Sequence, residues 1–453
     1  MPDGGFSCRV RSVHDTLYEI LPLCKKIGVT RISDITFMDR LFIPNYSTIL
    51  PGTEDSIWVY SGKGADKLEA KASALMEAIE RYSSLPSSYP RSFIQGTYRE
   101  LSKSYNKVLH PAEVVEPVNI ADDAKDVTMD FLPGYDLLTN EEVLVPAEIA
   151  LYRYSPKPPG TCVFSYSHTN GLASGNVLEE SICHALCEVI ERDASSIADL
   201  CASSIQYNIL EKLTNLLEKE FGGYSICRTP GKQFVDDSSL FPDVDISEIA
   251  NEFDLIKGIV NRFADAGITL LIKDITQKDI GIPTFVASSI EWITHDYGYF
   301  AKGFGTHPDA RIALLRAITE VSQTRAANIQ GSRDDLKKIH YKKNDEIFKR
   351  KWQFMPASTS GLANHQDNFA VKFSEIKSYM EKDVLQDINH ILRGLKRAGL
   401  RRAIVVDLTN PDIGIPTIRA IVPGLETFEV TKTIMGRRAR EYFKKICFAS
   451  RRK

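Results

Sequence analysis

One short plan recurs three times along the chain, and a repeat limits the architecture more tightly than any single motif. A glycine-rich segment leads into an amphipathic helix. Gly62-Lys63-Gly64 precedes Ala74-Leu75-Met76-Glu77-Ala78-Ile79-Glu80-Arg81, and Gly171-Leu172-Ala173-Ser174-Gly175 precedes Ala185-Leu186-Cys187-Glu188-Val189-Ile190-Glu191-Arg192. The third copy runs from Gly303-Phe304-Gly305 to Ala313-Leu314-Leu315-Arg316-Ala317-Ile318-Thr319-Glu320, with Arg316 standing in the place of Glu77 and Glu188. A second pattern, Asp-Ile/Leu-Thr followed by Ile-Pro, occurs at Asp34-Ile35-Thr36 with Ile43-Pro44, at Asp274-Ile275-Thr276 with Ile282-Pro283, and at Asp407-Leu408-Thr409 with Ile415-Pro416. Its flanks are β-branched, as in Ile404-Val405-Val406, so strand, tight turn, strand is the expected form. Asp136 to Pro146 reads as a weaker fourth copy.

Alternating strand pairs and helices predict an α+β (mixed α/β) fold built by internal duplication, not a bundle or a sandwich. No low-complexity linker divides the chain, so a single domain over 1–453 is expected. Two stretches rich in Lys, Asp, Ser and Gly, near 222–245 and 332–366, break the pattern and are expected to be less regular surface excursions.

Composition narrows the function classes. With 43% apolar and 25% charged residues and a net charge of −3, the chain reads as a cytoplasmic globular protein with no nucleic-acid partner implied. Only the end is strongly basic, with Arg437, Arg438, Arg440, Lys444, Lys445, Arg451, Arg452 and Lys453, and a solvated basic helix end is its plain reading. Apolar runs such as Ala403–Val406 are strand-sized, too short for a membrane span. The eight cysteines form no CxxC pair and read as reduced thiols. Cys183 and Cys187 are read as core thiols.

The chemistry is suggested by carboxylates in helical register. At about 100° per residue, Glu69, Ser73, Glu77 and Glu80 fall within roughly 80° of one another, while Ala72, Leu75, Ile79 and Tyr82 form the opposite, core-facing side. Glu180, His184, Glu188 and Glu191 align in the same way on the second helix, and Arg81 and Arg192 flank the two stripes. A solvated acidic face accounts for one such helix. Two in register, each carrying mutually repelling Glu-x-x-Glu pairs, point instead to a hard-oxygen site for Mg²⁺. Arg81, Arg192, Arg311 and Arg316 supply countercharge for a triphosphate, which is the arrangement that phosphoryl transfer needs. No Walker-type phosphate loop is present, so glutamates and arginines would have to carry the nucleotide.

At these residues the chain resembles the YcaO family. Ser73-x-x-x-Glu77-x-x-Glu80-Arg81 matches its first ATP/Mg²⁺ signature. Asn176-x-x-x-Glu180 continuing through His184, Glu188, Glu191 and Arg192 resembles the second, and His307-Pro308-x-x-Arg311 through Arg316, Glu320 and Gln323 the third. Arg9 and Thr16 fit an N-terminal basic–hydroxyl pair that touches nucleotide in some members. The resemblance implies an ATP- and Mg²⁺-dependent enzyme, with Arg9, Thr16, Ser73, Arg81, Asn176, His184, Arg192, Arg311, Arg316 and Gln323 on ATP and Glu77, Glu80, Glu180, Glu188 and Glu191 on Mg²⁺. It singles out no residue for the chemical step. Lys63 is read either as a turn lysine or as a contact to phosphate or substrate.

The reaction implied is O-phosphorylation of a peptide-backbone amide, followed by attack of a nucleophile on the same carbon. No proline follows Pro423, and the family pattern already begins at Arg9. Both observations point away from azoline-forming members and towards archaeal, TfuA-associated members that thioamidate a glycine of methyl-coenzyme M reductase. Expected partners are therefore a protein or peptide substrate, a TfuA-type protein, sulfide or another sulfur donor, and a second copy in a homodimer. The alternatives are an azoline- or amidine-forming cyclodehydratase acting on a precursor peptide and a non-catalytic YcaO-like scaffold.

Overall fold

In the computed structural model the described residues are 9–51, 57–114, 125–155, 168–201, 241–247, 253–290, 301–330, 370–381, 383–427 and 436–442. In chain order they begin with α1 (Val13–Lys26), β1 (Arg31–Asp34), β2 (Asn45–Pro51), β3 (Ile57–Lys63), α2 (Lys67–Ser83), β4 (Ile94–Thr97) and α3 (Tyr98–Ser104). Next come β5 (Thr128–Asp136), β6 (Glu141–Pro146), α4 (Ala147–Ala150), β7 (Leu172–Ser174), α5 (Leu178–Cys201), β8 (Asp243–Asp245) and α6 (Asp254–Asp265). The remainder are β9 (Thr269–Asp274), β10 (Thr284–Ile290), β11 (Ala301–Thr306), α7 (Ala310–Gln330), β12 (Ala370–Lys372), α8 (Val384–Arg397), β13 (Ile404–Asp407) and β14 (Thr417–Ile421).

Each Asp…Thr…Ile-Pro segment is a hairpin, and the same bonds close all three. The aspartate carboxylate accepts from the threonine amide two residues on, in Asp34–Thr36 (3.0 Å), Asp274–Thr276 (2.9 Å) and Asp407–Thr409 (3.0 Å). The threonine hydroxyl then accepts from the first amide of the returning strand, that of Asn45 (3.2 Å), Thr284 (3.0 Å) or Thr417 (3.1 Å). Local side-chain bonds of this kind impose the turn from within the segment. They fix equivalent registers, Asp34 opposite Tyr46, Asp274 opposite Phe285 and Asp407 opposite Ile418.

The repeat unit is larger than those motifs. A helix precedes every hairpin, and α1, α6 and α8 each stop at a glycine of positive φ: Gly28 (94°), Gly267 (66°) and Gly399 (79°). The next amide donates five residues back, Val29 to Cys24 (2.9 Å), Ile268 to Phe263 (2.9 Å) and Leu400 to Leu395 (3.1 Å). This closure needs a left-handed residue, which costs a side-chain-bearing one about 1 kcal/mol or more. A third strand joins each hairpin and leads into a second helix: β3 and α2, β11 and α7, and β7 and α5. In the last unit β7 and α5 precede their hairpin β13–β14 in the chain.

The three hairpins organise three sheets, ordered β1-β2-β3, β11-β10-β9-β8-β12 and β4-β5-β13-β14-β7, with β6 beside β5. The repeated glycines let a helix backbone lie directly on its strand. A Cβ at Gly62 would stand 2.1 Å from the Ala74 amide nitrogen, and one at Gly64 2.4 Å from that of Ala70. At Gly303 and Gly305 it would meet the Ala317 and Ala313 carbonyl oxygens at 2.2 and 2.0 Å. These glycines serve backbone approach.

Three expectations change. Asp136–Pro146 keeps the first bond of the pattern, the Asp136 carboxylate accepting from the Leu138 amide (3.0 Å), but not the second: β5 and β6 turn more tightly, with Asp136 paired directly with Glu141 and Asn140 at φ 56°. The excursion near 222–245 ends in the strand β8, antiparallel to β9 and parallel to β12; residues 222–240 and 332–366 lie outside the described residues. The basic end is not simply solvated, since Arg438 is 12% exposed and bonds Asp193 (3.0 Å) and Asp279 (2.7 Å), whereas residues 443–453 lie outside the described residues. No helix among the described residues is long and apolar enough to cross a membrane.

Gly305→Ala should lower the unfolding free energy in urea by about 2 kcal/mol or more, because neither backbone can yield. Gly258→Ala in α6, where an added Cβ meets nothing within 4 Å, should be neutral or slightly stabilising.

Candidate functional site

The second helices of the three units, α2, α5 and α7, bring their charged residues to one region. Asp66 caps α2 by accepting from the Leu68 (2.8 Å) and Glu69 (2.9 Å) amides. Ala72, Leu75 and Ile79 are fully buried, as the periodicity requires, so Glu77 and Glu80 project from the other side. Arg81 binds both, at 3.2 Å to Glu77 and 2.8 Å to Glu80. On α5, Arg192 repeats the arrangement with Glu188 (4.0 Å) and Glu191 (3.7 Å), and its guanidinium lies 5.8 Å from the Phe304 ring centre on β11. Helix α7 carries the reverse charge order. Arg316 meets the His184 ring at 2.8 Å, and Glu320 forms an ion pair with Lys63 at the end of β3.

The stripes are not solvated faces. Glu80 is 8% and Glu191 4% exposed. Burial pushes the Glu80 carboxyl up to about 8; Arg81 opposes this, while Glu188 across the helix interface and Glu77 add to it. Glu191 rises to about 7, first by burial, against the pull of Arg192 and with a push from Glu320. Glu320 goes the other way: Lys63 and Arg192 outweigh its desolvation and hold it below its ordinary value. His184 reaches the surface, yet neighbouring atoms desolvate its ring, and with the cations of Arg316, Arg9 and Lys63 this holds it well below the usual histidine range. These mutual effects place α2, α5, α7 and the end of β3 around one electrostatic centre.

Of the predicted residues, Arg81, Arg192, Arg316, His184, Glu77, Glu80, Glu188 and Glu191 come together here. Ser73 lies half-buried one turn before Glu77. Thr16 donates to Asn176 Oδ1 (2.8 Å), so the N-terminal segment does meet the second motif. Glu180 sits at the start of α5, where its carboxylate accepts from the Val10 amide (2.6 Å), the Asn176 amide (2.9 Å) and the Asn176 side chain (3.0 Å). Glu69, eight residues before Glu77 as Glu180 is before Glu188, likewise takes the Ala65 amide (2.9 Å). Both carboxylates cap helix starts, which carry a partial positive charge. Gln323 donates to the Ser61 carbonyl and ties α7 to β3. Arg311 is gripped by Asp309 (2.9 and 3.1 Å) beside the Phe253 ring. His184 bonds Arg316 at its ring Nε2.

Tyr60 on β3 was not legible. Its hydroxyl is buried with no hydrogen-bond partner among the described residues, close enough to Arg81 and Glu77 to feel their charge. The period-2 pattern of a strand carries no sign of that placement. Cys183 and Cys187 are buried at 3% and 1% exposure, as core thiols would be.

Carboxylates, arginines and a lysine gathered in one region suit a nucleotide with a hard divalent cation. The family model described as YcaO cyclodehydratase, ATP- and Mg²⁺-binding, matches residues 61–222 and 236–426. An uncharacterized protein of Methanothermobacter thermautotrophicus is 34% identical over 421 residues, 91% of this chain and 94% of that protein. An uncharacterized protein in the tfuA 3′ region of Rhizobium leguminosarum bv. trifolii is 28% identical over 91% of this chain and 87% of its own length. The solved structure of YcaO from Methanopyrus kandleri bound with AMPPCP and Mg²⁺ has a TM-score of 0.66 at 21% identity, covering 95% of each chain. A heterocyclase in complex with substrate and cofactor gives the same TM-score and identity over 95% of this chain and 54% of that one. These two likenesses establish the fold, and the family match carries ATP and Mg²⁺ as its cofactors. On that match and the 34% relative, the chain belongs to the YcaO family.

Proposed function

We propose that this chain activates a peptide-backbone amide by ATP- and Mg²⁺-dependent O-phosphorylation, and that sulfur then attacks to give a thioamide. The observation that carries the first half is the approach of Glu188 on α5 to Glu80 and Glu77 on α2, with Glu191 buried one turn along α5 from Glu188. Burial alone would keep Glu80 and Glu191 protonated near neutrality, and a divalent cation is the partner that makes both useful as carboxylates. Mg²⁺, when bound, neutralises the triphosphate and the charge that develops on the transferred phosphoryl group.

The chain's own residues divide the remaining work. Glu77, Glu80, Glu188 and Glu191 are assigned to Mg²⁺. Arg81, Arg192 and Arg316 would orient phosphate oxygens as fixed cations, with Lys63 and Glu320 closing the end of β3. Neutral His184, held by Arg316, adds a hydrogen-bonding ring without another charge. Glu180 keeps its assignment to Mg²⁺, and Asn176 and Thr16 theirs to ATP, while the bonds among them and to Val10 hold the N-terminal segment to the start of α5. Arg311, held by Asp309, and Gln323, bonded to the Ser61 carbonyl, keep their assignment to ATP. The amide oxygen attacks the γ-phosphorus and ADP departs; hydrosulfide adds to the activated carbon; inorganic phosphate departs and leaves C=S.

Thioamide formation, with a glycine of methyl-coenzyme M reductase as the substrate, rests on the family resemblance. The relative named for its place beside tfuA supports a TfuA-type partner, and we place the working unit in the cytoplasm as a homodimer. A second reading, cyclisation of a precursor peptide to an azoline or amidine, is favoured by the cyclodehydratase description of the family model.

Glu77→Ala, Glu188→Ala and Arg192→Ala should each abolish ATP turnover while far-ultraviolet circular dichroism stays unchanged; wild-type turnover in any of them would remove that residue from the site. Mg²⁺ affinity measured by calorimetry should rise with pH through about 7–8, because the raised carboxyls of Glu80 and Glu191 must lose their protons to bind. Glu80→Gln should bind Mg²⁺ more weakly and with a shallower rise. Incubation with Mg·ATP, sulfide, a TfuA-type partner and methyl-coenzyme M reductase peptides should add about 16 Da, the exchange of oxygen for sulfur that follows attack on an activated amide. A loss of about 18 Da from a precursor peptide would instead favour cyclisation with loss of water.

A further inference from the structure

The three Asp…Thr…Ile-Pro hairpins share one backbone feature and differ in the residue that supplies it. The residue before each Ile-Pro pair has positive φ: Phe42 (51°), Gly281 (72°) and Gly414 (73°). Glycine takes that conformation without strain, whereas a bulky side chain there is an outlier, at a cost of about 1–2 kcal/mol. Burial does not offset the strain, because Phe42 is 52% exposed. Nor is the turn loose. Leu41 is fully buried, the Phe42 amide donates to the Asp39 carbonyl (3.1 Å), and buried Arg325 grips Asp39 (2.7 and 2.9 Å). From the end of α6, Arg262 donates to the Phe42 carbonyl. A rigid turn thus holds the ring out in water, and Phe37 (71%) and Met38 (48%) of the same tip are exposed as well. The Phe37 and Phe42 ring centres lie 5.8 Å apart. Strain kept at a surface position, with no gain in packing, points to function.

These rings wall a cleft of about 830 Å³ between the first hairpin, the start of α2 and the end of α6, lined also by Arg40, Lys67 and Arg262. Its two carboxylates are Asp265 and Asp66, and Asp66 is taken up by the Leu68 and Glu69 amides at the start of α2. Lys67 bonds Asp34 (2.8 Å) and stands 5.0 Å from the Phe37 ring centre. We propose that this cleft docks a partner protein, through a segment that sets a large apolar side chain against Phe37 and Phe42 and a carboxylate beside Arg262. Cations outnumber carboxylates in the lining, so the complementary segment is acidic, and a guanidinium suits a carboxylate through paired hydrogen bonds. Aromatic rings held rigid in advance lose little freedom when they are covered. A second copy of the chain is a poorer occupant, because a two-fold contact sets a patch against itself and would bring these cations together. The cleft lies at the start of α2, and Glu77 follows Lys67 by ten residues on that helix, about 15 Å along its axis. About five extended residues span that distance, so a partner held here can present a neighbouring stretch of its chain to the carboxylates. Docking itself uses neither ATP nor Mg²⁺ and does not depend on the reaction proposed above.

The test is a selection of random peptides displayed on phage, made on the full chain after depletion on Phe42→Gly. Enriched peptides should carry Phe, Trp, Leu or Met next to Asp or Glu. A fluorescein-labelled copy of the most enriched peptide should bind the wild type, followed by anisotropy, and bind Phe42→Gly and Phe37→Ser about tenfold or more weakly, as expected for loss of an anchor. Added salt should weaken the wild-type complex. Phe42→Gly should unfold at no lower a urea concentration than the wild type, since glycine relieves the strain; a ring with a merely structural role would lower it. Phe37→Ser, at an exposed position of ordinary backbone, decides the matter if Phe42→Gly fails to fold. The proposal is overturned if no peptide is enriched, if the enriched peptides lack the acidic residue, or if both variants bind as the wild type does. A dimer seen by sedimentation that dissociates in Phe42→Gly would assign the surface to a second copy and overturn it equally.

Discussion

The contact on which the rest depends is between a strand backbone and a helix backbone, made where glycine faces alanine. At Gly62, Gly64, Gly303 and Gly305 no side chain can be accommodated, because the facing helix lies 2.0–2.4 Å from where a Cβ would be. Seating a helix this closely leaves little freedom to rotate or slide, since interiors pack at crystal-like density. Its polar stripe therefore points in a direction set by the strand beneath it. With α2, α5 and α7 each following the third strand of one unit, the charges of all three arrive in one region without a dedicated binding loop.

That meeting changes what the charges are. On an isolated helix Glu77 and Glu80 would repel weakly across water. In the folded chain Glu80 sits with Glu77, Glu188 and Arg81 in a poorly solvated space, and its carboxyl responds to all of them. The third unit prevents an all-acidic assembly. Its helix places arginine where the others have glutamate and glutamate where they have arginine, so Arg316 and Glu320 interlock with His184 and Lys63. A duplicated scaffold has thus diverged at its polar positions while keeping the glycines and alanines that hold it.

Much of this was legible in the residues. The Asp…Thr…Ile-Pro pattern is a set of bonds within one segment, so it reads directly as a hairpin. The Glu-x-x-Glu-Arg stripes follow from 3.6 residues per turn and fall on the predicted side of α2 and α5. The glycine stops at Gly28, Gly267 and Gly399 were equally local but went unread, because each is a single glycine whose role shows only once the preceding helix is placed. Arg311 shows the limit of motif spacing: the spacing implies nucleotide, and the fold adds an ion pair with Asp309, two residues away, that the motif does not mention.

The sequence by itself determined the repeat, the turns, the helix faces and the residue types of the site, since each depends on neighbours within a few positions. Tertiary structure alone decided that β7 and α5 complete a hairpin lying far along the chain. It decided which carboxyls lose their water, and that Phe42 of the first hairpin and Arg262 of α6, 220 residues apart in sequence, meet at one cleft. The physical reason is range. Hydrogen-bonded turns and helical periods are encoded within a window of residues, whereas desolvation and Coulomb interaction depend on distances through space, and those exist only after the units have packed.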